Sequence, residues 1–381
     1  INSVCHLNFK CGWNLLAGAA ESWIRNVVNG GFVANDEYID RKLETHLKAR
    51  FLKNIAGIYK LSFGAEDYIH SYKKSSNVIG RKNELSMDYN TFGVFVDNQL
   101  KVNSSFFLKA SLRMENKVGE NGVFFMPRTS ITYIPNTRLQ MSLLYGRYSQ
   151  VVGDDFDIYG SYIKNQSFSN HYVLSFLYKF LRTTVRLETY LKQYSRLPLI
   201  EESEMTLNGK GKSYGLDFFL EDGSVWDNLT TTLSYSYNHT RRRYMEYVNY
   251  VQPQYATAQN LSVSVKYNIT KIKCILGLSE NIASGRPYTN PSESGKLQSL
   301  TKPYVSTGVN VSYLVSPSII IYASITNLFN RHNVFNYDYV KNPCSDKGYL
   351  RRSVESSRDR FFYVGIFISL KKSHAYEISN F

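Results

Sequence analysis

SIIIYASITNLFNRHNVF, residues 318–335, and RFFYVGIFISL, residues 360–370, are the stretches whose reading decides the fold. Both are dominated by β-branched and aromatic residues, which pack well on a pleated surface and lose side-chain freedom in a helix. A long polar connection separates them, and the second ends shortly before a final aromatic, Phe381. Two extended segments joined by a long loop predict the last strands of an antiparallel sheet.

Composition narrows that reading. The 381 residues are 20% charged with a mean hydropathy of −0.31, values that also suit a soluble protein. Yet the chain holds 31 Tyr and 22 Phe against only 9 Pro and 23 Gly, a balance that favours strands and membrane interfaces. No run approaches the roughly 18 apolar residues of a membrane-crossing helix, so a membrane protein with this sequence has to cross as a closed sheet.

Period-two alternation recurs along the chain. Leu229, Thr231, Leu233, Tyr235 and Tyr237 fall on one side of an extended segment, with Thr230, Thr232, Ser234, Ser236 and Asn238 on the other. Leu261, Val263, Val265, Tyr267 and Ile269 oppose Ser262, Ser264, Lys266 and Asn268 in the same way, and Val305 to Tyr313 repeats it. Phe106 to Met114 and Val185 to Leu191 follow suit.

A soluble sandwich alternates too, with its apolar stripe turned inward. Connection lengths separate the two readings. Short turns are predicted at 134–136, 181–182, 270 and 315–317, with an intermediate one at 221–227. Long polar connections are predicted at 147–170, 193–210, 238–259, 283–302 and 331–360. Short and long connections in alternation are the pattern of outer-membrane β-barrels. Counting back on that rule gives an all-β, transmembrane antiparallel β-barrel with about sixteen strands, Val4–Ala20 being drawn as one strand or two.

The quoted segments resemble the end of the TonB-dependent receptors of Bacteroidetes-type bacteria, whose last strands carry similar TNLFNRxNVF and RFFxVGxFISL sequences. Three further stretches, in order, are similar to that family: GKGKSYGLDFFL at 209–220, SYSYNHTRR at 234–242 and ASGRPY at 283–288. Before Lys210 only the strand pattern speaks for it. The resemblance implies that residues 1–381 are barrel throughout, the later strands of a barrel with about 22, and that the plug domain is absent.

It also implies a receptor in the cell outer membrane for an iron chelate, vitamin, glycan or peptide. Its partners would be outer-membrane lipid and lipopolysaccharide, a TonB complex acting through the plug missing from this chain, and a possible surface lipoprotein. The family's signal peptide, TonB box and plug are not found in the sequence, which opens with Ile1, so a later portion of a longer protein is expected. The other reading is a complete sixteen-stranded passive diffusion porin.

Charge and motifs weigh against other classes. The net charge is +14, but only Arg241, Arg242 and Arg243 form a run of three and no nucleic-acid module is recognisable. Cations in loops suit anionic headgroups or an anionic ligand instead. With no GxSxG, HExxH, phosphate-loop or dinucleotide pattern and seven scattered histidines, no enzyme activity, cofactor or metal is expected. Asp154, Asp155 and Asp157, and Glu201, Glu202 and Glu204 beside Ser203, read as solvated loop groups. Cys5, Cys11, Cys274 and Cys344 show no CxxC spacing.

Candidate ligand-binding residues fall in the long connections. Arg241, Arg242, Arg243, Tyr244, Tyr247, Tyr250 and Tyr255 mix aromatic faces with guanidinium donors, and Arg286 and Tyr288 follow. The same tyrosines suit an aromatic girdle at the membrane boundary, and a Gly-Arg-Pro-Tyr segment equally suits fixing a loop's exit.

Overall fold

In the computed structural model every residue is described except 1, 30–36, 79–80, 117, 119–121, 152–165, 203, 342–347, 357–358 and 370–381. The alternation becomes strands almost throughout. The first twelve are β1 (Asn2–Asn8), β2 (Trp13–Asn29), β3 (Glu37–Ile55), β4 (Tyr59–Val78), β5 (Arg81–Lys101), β6 (Phe106–Asn116), β7 (Val123–Asn136), β8 (Leu139–Val151), β9 (Gln166–Phe180), β10 (Thr183–Glu201), β11 (Glu204–Asp222) and β12 (Leu229–Tyr244). There follow β13 (Tyr247–Val251), β14 (Gln259–Ile269), β15 (Cys274–Ala283), β16 (Pro287–Tyr288), β17 (Ser299–Leu300), β18 (Tyr304–Ser316), β19 (Ile319–Thr326), β20 (Val334–Lys341), β21 (Tyr349–Glu355) and β22 (Phe361–Ile368). No α-helix occurs among the described residues.

Eighteen strands make one antiparallel sheet, and β16–β17 and β20–β21 form two separate hairpins. From β1 to β12 each strand pairs with its successor; β12 then pairs β14 and, at its end, β13, and the ladder continues through β15, β18, β19 and β22. The expected sixteen strands are therefore too few. Val4–Ala20 divides into β1 and β2 at a turn where the Gly12 N–H donates to the Phe9 carbonyl at 2.9 Å, and the long connections carry strands of their own.

Short turns fall where expected. Asn136 Oδ1 accepts from the N–H groups of Arg138 (2.9 Å) and Leu139 (3.1 Å), which reverses the chain between β7 and β8. Leu181 takes a φ of +51° between β9 and β10. Asp222 Oδ2 accepts from Val225 N–H at 3.2 Å after β11, and a hydrogen bond from Thr183 holds its carboxyl below the usual range. At 193–210 the expected loop is absent. There β10 and β11, with 19 residues each, extend the ladder well past the roughly 9 to 11 residues that cross a membrane. Pairing satisfies the backbone groups that a polar loop would have left to water. Most of 147–170, including Asp154, Asp155 and Asp157, lies outside the described residues, as do Ser203 and Cys344.

The chain divides into two compact units, the first over 1–134, 143–172 and 194–208, the second over 135–142, 173–193 and 209–381. Within each, the two faces of the sheet reverse the distribution of a soluble protein. In the first, Phe51, Phe63, Val96 and Leu112 stand side by side in register on one face, and Phe63 is 41% exposed. On the opposite face Glu66 and Glu115 are only 7% and 8% exposed. In the second, Leu278 is 48% and Val364 71% exposed, whereas Ser213 and Thr240, partners in register, are buried.

A sandwich would have covered that apolar stripe with a second layer. Hydrocarbon is the medium in which a sheet can leave it bare. Carboxylates interrupt the stripe in places: Glu280, register partner of Val263, accepts from Thr307 Oγ1 at 2.5 Å, and Asp67 stands in register between Leu47 and Phe92.

Orientation can be read by arginine substitution. Val309 stands between Leu278 and Ile325 on the apolar face, so Val309→Arg should cost about 2–4 kcal/mol, whereas Ser264→Arg on the other face should cost under about 1 kcal/mol. Asn310 does not share that tolerance, because its side chain fills the space over Gly277. Urea unfolding of the full-length protein in lipid vesicles measures each; equal costs at 309 and 264 would reverse the assignment of faces.

Candidate functional site

The polar face carries two concentrations of chemistry, one in each unit. In the first unit, Lys48, Glu66, Gly93 and Glu115 are register neighbours on β3 to β6, and Arg113 stands two residues from Glu115 on the same face. A Cβ on Gly93 would lie 2.7 Å from Arg113 Nη2. The glycine thus opens the lane along which Arg113 crosses β5 to pair with Glu66. Arg113 Nε also holds Glu115 Oε1 at 2.5 Å, Lys48 Nζ meets Glu66 Oε2 at 3.0 Å, and Ser149 Oγ donates to Glu115 Oε2 at 2.5 Å. Beside them Arg50 Nη2 donates to Ser62 Oγ at 2.9 Å, and Ser62 to Asp97 at 3.3 Å. These charges are engaged with one another, so the lattice ties four strands together and holds its cations away from a ligand.

In the second unit a pocket of about 370 Å³ opens on the polar face of β12, β14 and β15. Its floor is the row Ser234, Ser262, Asn281 and the next row, Ser236, Asn260, in register. Ser262 Oγ donates to Asn281 Oδ1 at 2.8 Å and Thr257 Oγ1 to Asn260 Oδ1 at 2.9 Å, which leaves both amide NH₂ groups as donors toward the pocket. Arg286, Thr301, Lys302, Tyr304 and Phe335 form its walls.

Two connections supply those walls, and their motif residues explain why. Ser284 Oγ accepts from the N–H groups of Ala258 (2.9 Å) and Gln259 (3.1 Å). At Gly285 a Cβ would fall 1.9 Å from the Thr301 carbonyl oxygen, so only glycine lets the two chains meet. Arg286 N–H then donates to Thr301 Oγ1, and Thr301 N–H to the Arg286 carbonyl, each at 2.9 Å. In the other connection buried Asn327 donates to the carbonyls of Arg331 and Asp359, while Asn333 makes both hydrogen bonds of a strand neighbour to Val305. That clamp delivers Val334 and Phe335 to the pocket.

Of the residues expected from sequence, Arg286 lines the pocket, with its guanidinium 5.3 Å from the Phe335 ring centre. Tyr288 is buried against Tyr337, with ring centres 4.8 Å apart, and serves as a packing residue. Arg241, Arg242, Arg243, Tyr244, Tyr247, Tyr250 and Tyr255 lie outside the pocket lining, on and just after the β12–β13 hairpin. There Tyr244 packs on Tyr247 at 5.5 Å, Arg242 lies over Tyr255 at 5.9 Å, and burial pushes the Tyr244 phenol above its ordinary range. Tyr250 and Tyr255 are more than half exposed. Sequence reasoning missed the serine and asparagine floor and the Arg113 lattice. Their signal was the polar register of the strands, which identifies a face but not which of its residues meet across strands.

The β-barrel model for TonB dependent receptor-like proteins matches residues 12–328. Among solved structures, the chain is similar to the pyoverdine outer membrane receptor FpvA from Pseudomonas aeruginosa bound to pyoverdine, with a TM-score of 0.74 and 12% identity over 96% of this chain and 60% of that one. The siderophore receptor PiuA from Acinetobacter baumannii gives 0.72 and 11% over 95% and 63%. The ferric yersiniabactin uptake receptor FyuA from Yersinia pestis gives 0.71 and 12% over 93% and 58%. At these identities the likeness is one of fold, and the chain spans less than two thirds of each of these structures. No curated protein sequence matches the chain.

Two substitutions separate lattice from pocket. Arg113→Met takes the cation from buried Glu115 and leaves Glu66 to Lys48, and should cost about 3–5 kcal/mol in urea unfolding, whereas Lys296→Ala, which breaks a half-exposed pair to Glu246, should cost under about 1 kcal/mol. Gly285→Ala should lower the thermal midpoint and disorder the pocket wall, read as faster hydrogen exchange at 284–302. Gly18→Ala should do neither, because its Cβ meets its first neighbour at an ordinary 3.5 Å.

Proposed function

This chain belongs to the TonB dependent receptor-like β-barrel family, and on that premise we propose that it is the barrel portion of an outer-membrane receptor that binds a scarce nutrient outside the cell and passes it inward. The observation that carries the proposal is the family match over 12–328, on a sheet that exposes its apolar stripe and buries its charges. Outer-membrane lipid and lipopolysaccharide would cover the stripe. The pocket stands at the end of the sheet where the long connections gather, the end that faces outward in such barrels.

The finer features of the reading are proposals of the same kind. A TonB complex would couple through a plug outside this chain, and a surface lipoprotein is a possible partner. The TNLFNRHNVF and RFFYVGIFISL segments support the Bacteroidetes type. Similar folds are named as receptors for iron chelates, so a ferric chelate joins vitamin, glycan and peptide as the cargo to test. The diffusion-porin reading is not favoured: the matching family is one of receptors, and the sheet exceeds sixteen strands. Those relatives are receptors rather than enzymes, in keeping with a non-catalytic role.

A strain deleted for the full-length protein should lose growth when one of these four nutrient classes is limiting. Complementation should restore growth, and dissipating the proton-motive force should abolish uptake through the restored protein. Uptake that persists without that force would make it a passive pore.

A further inference from the structure

We propose that the pocket of the second unit takes a small polyhydroxylated acid, a sugar carrying a carboxylate, with the carboxylate seated at Arg286. The inference rests on the receptor reading and names the ligand chemistry of its site.

The floor argues for hydroxyl groups. Ser234 and Ser236 both donate and accept, and Asn260 and Asn281 present amide donors whose oxygens are already satisfied. Neutral groups of this kind exchange hydrogen bonds with a sugar at small desolvation cost, since no charge has to leave water on their side. The wall argues for a ring. Tyr304 and Phe335 stand 5.9 Å apart at an interplanar angle of 29°, giving an apolar surface suited to the C–H face of a pyranose.

Charge then selects the acid over the neutral sugar. Arg286 and Lys302 line the pocket, and among the described residues no Asp or Glu does. Arg286 is the better anchor, because its planar fork matches a carboxylate with two parallel hydrogen bonds. It is also already ordered: the guanidinium lies across Phe335 and the backbone is clamped on both sides by Thr301, so binding has little of its freedom left to remove. A volume of about 370 Å³ sits near the lower end of small-molecule sites, which suits one or two sugar rings better than a large chelate. In the first unit Arg113 is held by Glu66 and Glu115, and Lys48 by Glu66.

Calorimetric titration of the detergent-solubilised full-length protein with D-glucuronate, D-glucose and inorganic phosphate tests this. Glucuronate should bind at least tenfold more tightly than either glucose or phosphate. Arg286→Gln should erase the preference over glucose while leaving the thermal midpoint in place. Asn281→Leu, or Ser236→Val where the first fails to fold, should weaken both sugars. Equal affinity for the two sugars, a preference that survives Arg286→Gln, or phosphate matching glucuronate would overturn the proposal. A protein that supports energy-dependent growth on its nutrient yet ignores glucuronate would sink this inference and leave the receptor reading standing.

Discussion

Hydrocarbon offers a backbone no hydrogen-bond partner, so every peptide group within it has to find one in the chain itself. The ladders of this protein answer that demand. Between β2 and β3 the register runs unbroken from Trp13↔Lys53 to Asn29↔Glu37, and between β3 and β4 from Glu37↔Asn77 to Ile55↔Tyr59. Once pairing is fixed, side-chain placement follows with a period of two, because a slip of one residue would send every Phe and Leu of a strand to the wrong face. The exposed apolar stripe and the buried carboxylates are two results of that single constraint.

What the polar face does with its charges differs between the units. Around Arg113 both carboxylates meet a cation, Glu66 across β5 and Glu115 along β6, and Gly93 supplies the clearance. Paired charges of this sort gain little net stability, but removing one partner is expensive, so the lattice fixes register more than it adds strength. Around Arg286 no carboxylate among the described residues lines the cavity. On the ligand chemistry proposed above, a cation kept beside neutral donors and aromatic rings takes its counterion from outside.

Much of the fold was legible in the sequence. The alternation at Leu229–Asn238 and Leu261–Ile269 gave strands and faces that pair as expected, with Leu233 opposite Val263. Short turns were legible because Asn136, Leu181 and Pro317 punctuate the pattern locally. The tall β10–β11 hairpin was not: Glu201, Glu202 and Glu204 read as a solvated loop, yet the strands run on to either side of the tip and bury Leu199. Of the site, Arg286 was legible through its motif. The lattice around Arg113 was not, since its members come from β3, β4 and β6, and a single sequence records neither register nor the glycine lane between them.

Several residues of the motifs that carry the family resemblance act on the backbone, whereas Arg286 and Phe335 of the same motifs line the cavity. Asn327 and Asn333 hydrogen-bond backbone groups, Gly285 admits the Thr301 carbonyl, and Gly215 lets the Tyr237 carbonyl and the Tyr190 ring approach within 2.7 Å of where a Cβ would stand. These residues set where two connections reach the sheet, and a ligand would not touch them. Side chains adjoining the clamp line the cavity: Phe335 near Asn333, Arg286 beside Gly285 and Lys302 beside Thr301. A scaffold that fixes the wall and leaves the adjoining side chains unconstrained can keep its fold while changing its cargo. In this chain those adjoining positions carry an aromatic ring and two cations, and on the receptor reading proposed above it is there that specificity resides.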